Sequence, residues 1–251
     1  MSLSDTTLLV KTIERPSFLD RLLESIRLIY PPGHPDSPSV LVGDDARDHS
    51  AARDAAERWS AEFLGLDHDI GLSAGRNALV DAAKTPYVVV LDDDFVLFPY
   101  TDLGRLVSFV ASGVFDIAGG TVFHNGHETH YEGWIRLEDE VLRMGPAPAR
   151  SGPAGVDICY NFLAARREVL QRVRWNPKLK LCEHQDFFLR CQKAGVKVGY
   201  IPDVQINHMP GQEGVYTEYR KVRANGFFDE FKRAWGIECI QGTPAAPANR
   251  P

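Results

Sequence analysis

At 251 residues, 44% hydrophobic and 25% charged, the chain fits one large globular domain or two small ones and is long enough to bury a sizeable core. A formal net charge of −6 and a pI near 5.8 exclude a protein built to lie on nucleic acid, so an anionic substrate must be met locally by a metal or a few cations. No run approaches the roughly 20 apolar residues of a membrane span, MSLSDTTLLVKT lacks a signal-peptide pattern, and Cys159, Cys182, Cys191 and Cys239 form no CxxC pair; together these predict a cytoplasmic chain with reduced thiols.

Short β-rich runs alternate with helical periodicity through the first half, which predicts an α/β fold with a mostly parallel sheet flanked by helices. Residues 7–12 read as the first strand. Phe18, Leu19, Leu22, Leu23, Ile26 and Ile29 then recur at three- and four-residue spacing, an amphipathic helix stopped by Pro31-Pro32. Residues 40–42 form the next strand and residues 51–63 the next helix. A third helix covers 72–83 with Ser73 as its N-cap, and YVVVL at 87–91 suits a strand buried on both faces. Beyond Gly119-Gly120 the pattern turns irregular, with strand-like runs at 121–123 and 131–137 and a Pro/Gly/Ala-rich loop over 145–155. Regularity returns at 158–164, followed by a helix over 185–194, strands over 196–201 and 204–208, and a last helix over 216–235. The tail QGTPAAPANRP, 241–251, is expected to be disordered.

Polar residues gather where the strands end. YVVVL runs straight into Asp92, Asp93 and Asp94, and ligands of open α/β sheets sit outside the carboxyl ends of strands. Three adjacent carboxylates repel one another unless a cation or hydrogen-bond donors neutralise them, and oxygen ligands of this kind suit Mg²⁺ or Mn²⁺. Asp44 and Asp45 end the second strand, and Thr12, Glu14 and Arg15 follow the first, so three strand ends present polar groups along one edge, as a nucleotide requires. GLSAGRN at 71–77 opens the third helix. Its Gly71, Ser73 and Asn77 are small or polar enough for a diphosphate or ribose to approach, and Arg76, a cation at a helix start, calls for an anionic partner. The run matches neither GxGxxG nor GxxxxGK[ST], which disfavours a dinucleotide or P-loop enzyme. Farther on, Glu183, His184 and Asp186 open a helix whose positive end favours acids, and His208 ends a strand.

In this order the motifs resemble the GT-A glycosyltransferases, specifically the family-2-like enzymes, over most of residues 7–210. The matching residues are Thr12, Asp44-Asp45, GLSAGRN, the DxD-type Asp92-Asp93-Asp94, and NFLAARR at 161–167 leading to Trp175-Asn176-Pro177. VKTIERPSFLDRLLESIR, GLSAGRN, DDDF and EHQDFFLR look most like the β-1,4-N-acetylgalactosaminyltransferases that build gangliosides. The resemblance implies a single Rossmann-like GT-A domain over 1–240, with a nucleotide-sugar-binding half at 7–120 and an acceptor-side half at 121–240. It implies an inverting transfer of a hexose or N-acetylhexosamine from a UDP-sugar donor to a glycan, glycolipid or small-molecule acceptor, with Mn²⁺ or Mg²⁺. Asp44 or Asp45 would hold the uracil, Asp92 the ribose or the metal, and Asp94 the metal, with His208 completing its shell.

Many family-2 enzymes carry Glu-Asp where this chain has Glu183-His184, so the general base is argued from the residues themselves. A carboxylate is unprotonated near neutral pH without tuning, and Glu183 and Asp186 are spaced to share a helix face. Similar enzymes keep a His-x-acid-Phe-Phe arrangement, which ranks Asp186 first, Glu183 second and His184 third. One rival is a sugar-phosphate nucleotidyltransferase, but TIERPS at 12–17 lacks the Gly-rich basic loop that such an enzyme carries after its first strand. The other is a non-catalytic nucleotide-sugar or glycan-binding module, against which intact acids at both positions count. Residues 210–223, with two glycines, two tyrosines, Arg220, Lys221 and Arg223, are expected to act as a lid over the diphosphate.

Overall fold

In YVVVLD, Val88 and Val90 join one buried apolar cluster while Val89 and Leu91 join another. Side chains alternate faces along a strand, so a segment that buries both sets lies inside a sheet covered on both sides. The computed structural model describes residues 2–147, 152–211 and 214–244, with the side chains of 214–222 left aside, and it has that architecture.

Strand and helix alternate first: β1 (Thr6–Thr12), α1 (Pro16–Ile29), β2 (Ser39–Asp44), α2 (Ser50–Arg58), β3 (Glu62–Gly65), α3 (Gly71–Ala82) and β4 (Tyr87–Asp92). Next come β5 (Phe95–Leu97), α4 (Leu103–Ala111), β6 (Ile117–His124), β7 (His127–Thr129), β8 (Gly133–Glu138), β9 (Val141–Pro146), β10 (Ala154–Val156) and β11 (Leu163–Arg166). The chain then forms α5 (Arg167–Val173), α6 (Glu183–Lys193), β12 (Val198–His208), α7 (Gly214–Trp235) and β13 (Cys239–Gly242). The main sheet runs β10-β12-β6-β11-β4-β1-β2-β3, with β5 added to β12 and β7 to β6. β1 to β4 pair in parallel, as do β6 and β12, whereas β11 runs antiparallel between β4 and β6. A second, three-stranded sheet is ordered β13-β9-β8.

On one face of the main sheet, α1 buries Phe18, Leu19, Leu22, Leu23 and Ile26, the three-and-four stripe read from the sequence. Each such side chain contributes about 2 kcal/mol on burial. Pro16 in the first turn fits a helix start, and Tyr30 is the C-cap just before Pro31-Pro32. α2 and α4 complete this face through Ala52, Ala55, Ala56, Leu103, Leu106, Val107 and Val110. The opposite face is closed by α3, α5, α6 and the second sheet, whose Leu79, Leu170, Phe187, Phe188, Ile135 and Leu142 pack with Trp175.

Several expectations change. The helix predicted over 51–63 stops at Arg58, because Ser60 turns left-handed at φ 54° and the Ala61 N–H donates to the Ala56 carbonyl at 2.8 Å, closing the helix end. Phe63 consequently lies in β3. Ser73 stands inside α3 and Ile70 is its N-cap, so the predicted capping role fails. β13 includes Gln241 and Gly242, which pair with Arg143 and Met144 of β9, so the expected disordered tail does not begin at 241; residues 245–251 lie outside the described set. The two strands expected over 196–208 are one, interrupted by a register shift between Ile201 and Gln205. Among the described residues no helix is long and apolar enough to cross a membrane, and all four cysteines are free thiols.

Candidate active site

β1 and β4 lie side by side in parallel register, Lys11 opposite Asp92, and β2 places Asp44 opposite Thr12. Their carboxyl ends therefore open at one sheet edge, where polar side chains need no apolar neighbour. A cavity of about 370 Å³ lies there, lined by Lys11, Arg15, Leu72, Arg76, Asp92, Asp93, Asp94 and Phe95 on the β1/β4 side. Tyr131, Tyr160, Asn161, Cys182, Glu183, His184 and His208 complete the lining.

The acids are paired within the protein. Arg15 bridges Asp93 through Nη2 and Asp94 through Nη1, the latter at 3.0 Å, and the Thr12 hydroxyl donates to Asp93 at 2.7 Å. Arg76, 2% exposed, spans Asp92 at 2.7 Å and Glu183 at 2.6 Å, which supplies the anionic partners its place at a helix start calls for. Burial pushes Asp93 up to about 7 in spite of Arg15 beside it. Burial also pushes the Asp94 carboxyl up, but the hydrogen bond from His208 and the charge of Arg15 outweigh it and hold Asp94 down at about 2. His208 Nε2 stands 3.4 Å from Asp94 Oδ2, and the Met209 N–H donates to the Asp94 carbonyl at 2.9 Å, tying the end of β12 to the aspartates.

At the start of α6 the geometry differs. His184 Nδ1 lies 3.0 Å from Asn161 Oδ1, while its Nε2 is buried with no hydrogen-bond partner among the described residues. Burial pushes this imidazole down to about 4, with Glu183 opposing, so the ring is neutral at ordinary pH. Burial raises Glu183, yet Arg76 alongside brings its carboxyl below its usual range. Tyr131 packs on His184 with ring centroids 5.2 Å apart and on Tyr160 at 5.4 Å, and the Gln185 side chain donates to the Tyr131 hydroxyl at 2.8 Å.

Of the residues singled out in the sequence, Arg15, Arg76, Asp92, Asp93, Asp94, Glu183, His184 and His208 meet in this cavity. Asp186 does not. It is 0% exposed, accepts from Arg190 Nε at 2.7 Å and Trp235 Nε1 at 2.8 Å, and so faces α7 rather than the cavity; the expected base is a structural tie. Asp44 accepts from the Ala46 N–H and contacts His49 Nδ1 at 2.9 Å, and Asp45 takes Lys11 and the Gly71 N–H. Both carboxylates are at most 1% exposed and neither lines the cavity. Thr12, Glu14, Gly71, Ser73 and Asn77 also stand off the cavity lining. Asn77 instead exchanges two hydrogen bonds with the Trp175 backbone, Glu14 accepts from the Arg47 N–H, and Gly71 at φ 87° lies where a Cβ would strike Lys180. Most of the expected lid over 210–223 falls outside the described side chains. Sequence reasoning missed Tyr131, Tyr160 and Cys182 as site residues, and used Lys11, Leu72, Phe95 and Asn161 only as parts of motifs. Among the described residues no group of three or more His, Cys, Asp or Glu is placed to hold a metal by itself.

Residues 7–174 match the family model described as Glycosyl transferase family 2. The beta-1,4 N-acetylgalactosaminyltransferase 2 of Mus musculus is 31% identical over 231 residues, 87% of this chain and 43% of its own length. The corresponding enzyme 1 of Homo sapiens is 29% identical over 250 residues, 91% of this chain and 44% of its own. The chain thus spans less than half the length of these curated relatives. Among solved structures, GalNAc-T7 with UDP, GalNAc and Mn²⁺ superposes with a TM-score of 0.67 at 14% identity, covering 90% of this chain and 50% of that one. S. aureus TarS 1–349 superposes at 0.62 with 17% identity, covering 94% and 64%. These two likenesses are of fold, and the architecture is the expected GT-A one.

Proposed function

Since this chain belongs to glycosyl transferase family 2, we propose that it moves a hexose or N-acetylhexosamine from a UDP-sugar to a hydroxyl of a glycan, glycolipid or small-molecule acceptor, with inversion. This reading rests on one arrangement: a single cavity joins the paired aspartates at the end of β4 to the side chain of His184, whose Nε2 is buried just behind the lining with no hydrogen-bond partner among the described residues.

His184 is the general base in this reading. A Nδ1–H donated to Asn161 leaves the lone pair on Nε2, whereas Glu183 is held as an anion by Arg76 and Asp186 is turned away. An anionic diphosphate entering the cavity favours the protonated ring and so raises the pKa of the imidazole toward the working pH, where a base works best. As Nε2 takes the acceptor proton, the acceptor oxygen bonds to the anomeric carbon from the face opposite the diphosphate. The bond to the diphosphate breaks, and its electron pair leaves with UDP. Glu183, adjacent in the chain, then faces the imidazolium and stabilises it.

The lining carries four acids, Asp92, Asp93, Asp94 and Glu183, against three basic side chains, Lys11, Arg15 and Arg76, so even with Asp93 protonated it holds no positive surplus for a diphosphate. Asp94 and His208 fit a divalent cation: an oxygen and a nitrogen donor 3.4 Å apart on the cavity lining, a pair of the size that Mg²⁺ or Mn²⁺ commonly uses together with substrate phosphates. Such an ion, held by Asp94 and His208, would supply positive charge to the leaving diphosphate. Arg15, now on Asp93 and Asp94, stands where it can turn to the phosphates.

UDP release from a panel of UDP-sugars, without acceptor and with Mn²⁺, Mg²⁺ or EDTA, tests the reading. Release from at least one donor that stops in EDTA is expected. No release from any donor with either metal overturns it.

A further inference from the structure

We propose that His124, on the β6–β7 hairpin and outside the cavity lining, is a positioning residue that fixes the ring of His208 with its Nε2 lone pair toward the cation; this rests on the metal-binding reading above. His124 and His208 are register partners on the parallel strands β6 and β12. Their Nδ1 atoms stand 3.2 Å apart, and the two rings meet edge to face with centroids at 5.1 Å and planes at 69°. Two neutral imidazole nitrogens in a hydrogen bond share one proton, so one is the donor and the other the acceptor.

The opposite nitrogen of His208, Nε2, faces Asp94. Without a cation Nε2 carries the proton that it donates to Asp94; to ligate a cation there Nε2 must be bare, and the single proton of the ring must then move to Nδ1. From Nδ1 it is donated to His124 Nδ1, whose own proton lies on Nε2. Which nitrogen of a histidine is available to a metal is set by the hydrogen bond that the other one makes. Among the described residues the other ring neighbour of His208 is Phe95, edge-on at 5.6 Å, which packs against the ring but selects no tautomer.

The backbone brings His124 to this place firmly. Asn125 and Gly126 take positive φ of 49° and 83°, the two-residue hairpin turn that sets His124 across from His127. The Asn125 N–H donates to the His208 carbonyl at 3.0 Å and the Gly126 N–H to Asn207 Oδ1 at 3.2 Å, so the turn is pinned to the end of the strand that carries the ligand.

Mn²⁺ titrated into UDP-saturated protein, with unbound Mn²⁺ read by electron paramagnetic resonance, tests the proposal. His124→Ala should weaken Mn²⁺ binding about tenfold or more, the scale on which outer partners of ligating histidines act. His124→Asn puts an amide oxygen where Nδ1 stood and should hold affinity within about threefold of wild type, a rescue that a merely structural role does not produce. With UDP and Mg²⁺, ¹⁵N spectra of the His208 ring should show Nδ1–H in wild type and lose that single tautomer in His124→Ala. Wild-type Mn²⁺ affinity in His124→Ala, with affinity lost in Asp94→Ala, overturns the positioning role and leaves the metal reading standing. Wild-type protein that takes up no Mn²⁺ overturns both.

Discussion

The two walls of the cavity solve opposite problems. On the β1/β4 wall every acid already has a partner: Thr12 and Arg15 on Asp93, Arg15 and His208 on Asp94, Arg76 on Asp92. On the wall built from Tyr131, Tyr160, Asn161 and His184 the side chains are neutral, and a buried nitrogen is left without a partner. A buried carboxylate cluster must be neutralised for the chain to fold at all, so its binding capacity is exercised by exchanging partners. An unsatisfied buried atom costs the fold about 1–3 kcal/mol and is tolerated where a ligand completes it. The charged wall is thus suited to holding a leaving anion and the neutral wall to meeting an uncharged hydroxyl.

The largest effect should follow from breaking the charged wall. Asp94→Ala removes the carboxylate shared by Arg15 and His208, and transfer should fall by about 10³-fold, the upper range for losing one preorganised electrostatic partner. Calorimetry should show UDP affinity that depends on Mn²⁺ in wild type and no longer does so in the variant. UDP affinity equal with and without EDTA in wild type would remove the metal from the mechanism.

Breaking the neutral wall should cost less. His184→Gln should lower turnover by about 10²-fold, as expected for a positioned base, with UDP affinity retained. It should also change stability against pH. Because burial holds His184 at about 4 in the fold against its usual 6.5, the unfolded chain takes up the proton first, so this group's contribution is full above 6.5 and is lost as pH falls toward 4. Denaturant titrations of His184→Gln across that window should show a shallower loss than wild type; parallel curves would mean that the ring is not held neutral by the fold.

The charged wall was legible in the sequence and the neutral one largely was not. A buried β-branched run that ends in three aspartates combines a local period with a local charge pattern, and the 71–77 run marks a helix start by its own composition. Lys11 escaped because it sits in an apolar strand and is compensated by Asp45, 34 residues away. Tyr131 and Tyr160 come from the irregular half, where antiparallel insertion of β11 between β4 and β6 decides what faces the cavity, and no residue period records that. α4 was a different kind of miss: Leu103, Leu106, Val107 and Val110 carry helical spacing behind an Asp102 cap, and the signal was there to be read.

Asp186 separates spacing from environment. It lies three residues from Glu183, as expected of a shared face, but Trp235 of α7 claims one oxygen and Arg190 the other. Asp186→Ala should cost about 1–2 kcal/mol by leaving two half-buried donors without their acceptor, read as a lower midpoint in denaturant. Asp186→Asn should cost less and retain turnover within about threefold per folded molecule, well short of the loss due to a missing base. A fully stable but inactive Asp186→Asn would return the base to this residue and take it from His184.

The smallest effect is expected at Ser73, which the sequence placed among the donor-binding residues. Its side chain is 0% exposed inside α3, and its hydroxyl has no hydrogen-bond partner among the described residues. The residue is neither the helix cap nor part of the cavity lining, because α3 begins two residues earlier at Gly71 and turns Leu72 and Arg76 to the cavity instead. A buried hydroxyl with no partner is destabilising, and Ala has the better helix propensity by about 0.5 kcal/mol, so Ser73→Ala should be neutral or stabilising by about 1 kcal/mol. UDP affinity should not move. If Ser73→Ala instead weakens UDP binding tenfold, about 1.4 kcal/mol, then α3 shifts when donor binds and the unpartnered hydroxyl is the group waiting for it. In that case the Ser73 hydroxyl joins Arg76 Nε, which is likewise buried without a hydrogen-bond partner among the described residues, as an atom left for the ligand on the charged side, and the two walls differ in charge alone.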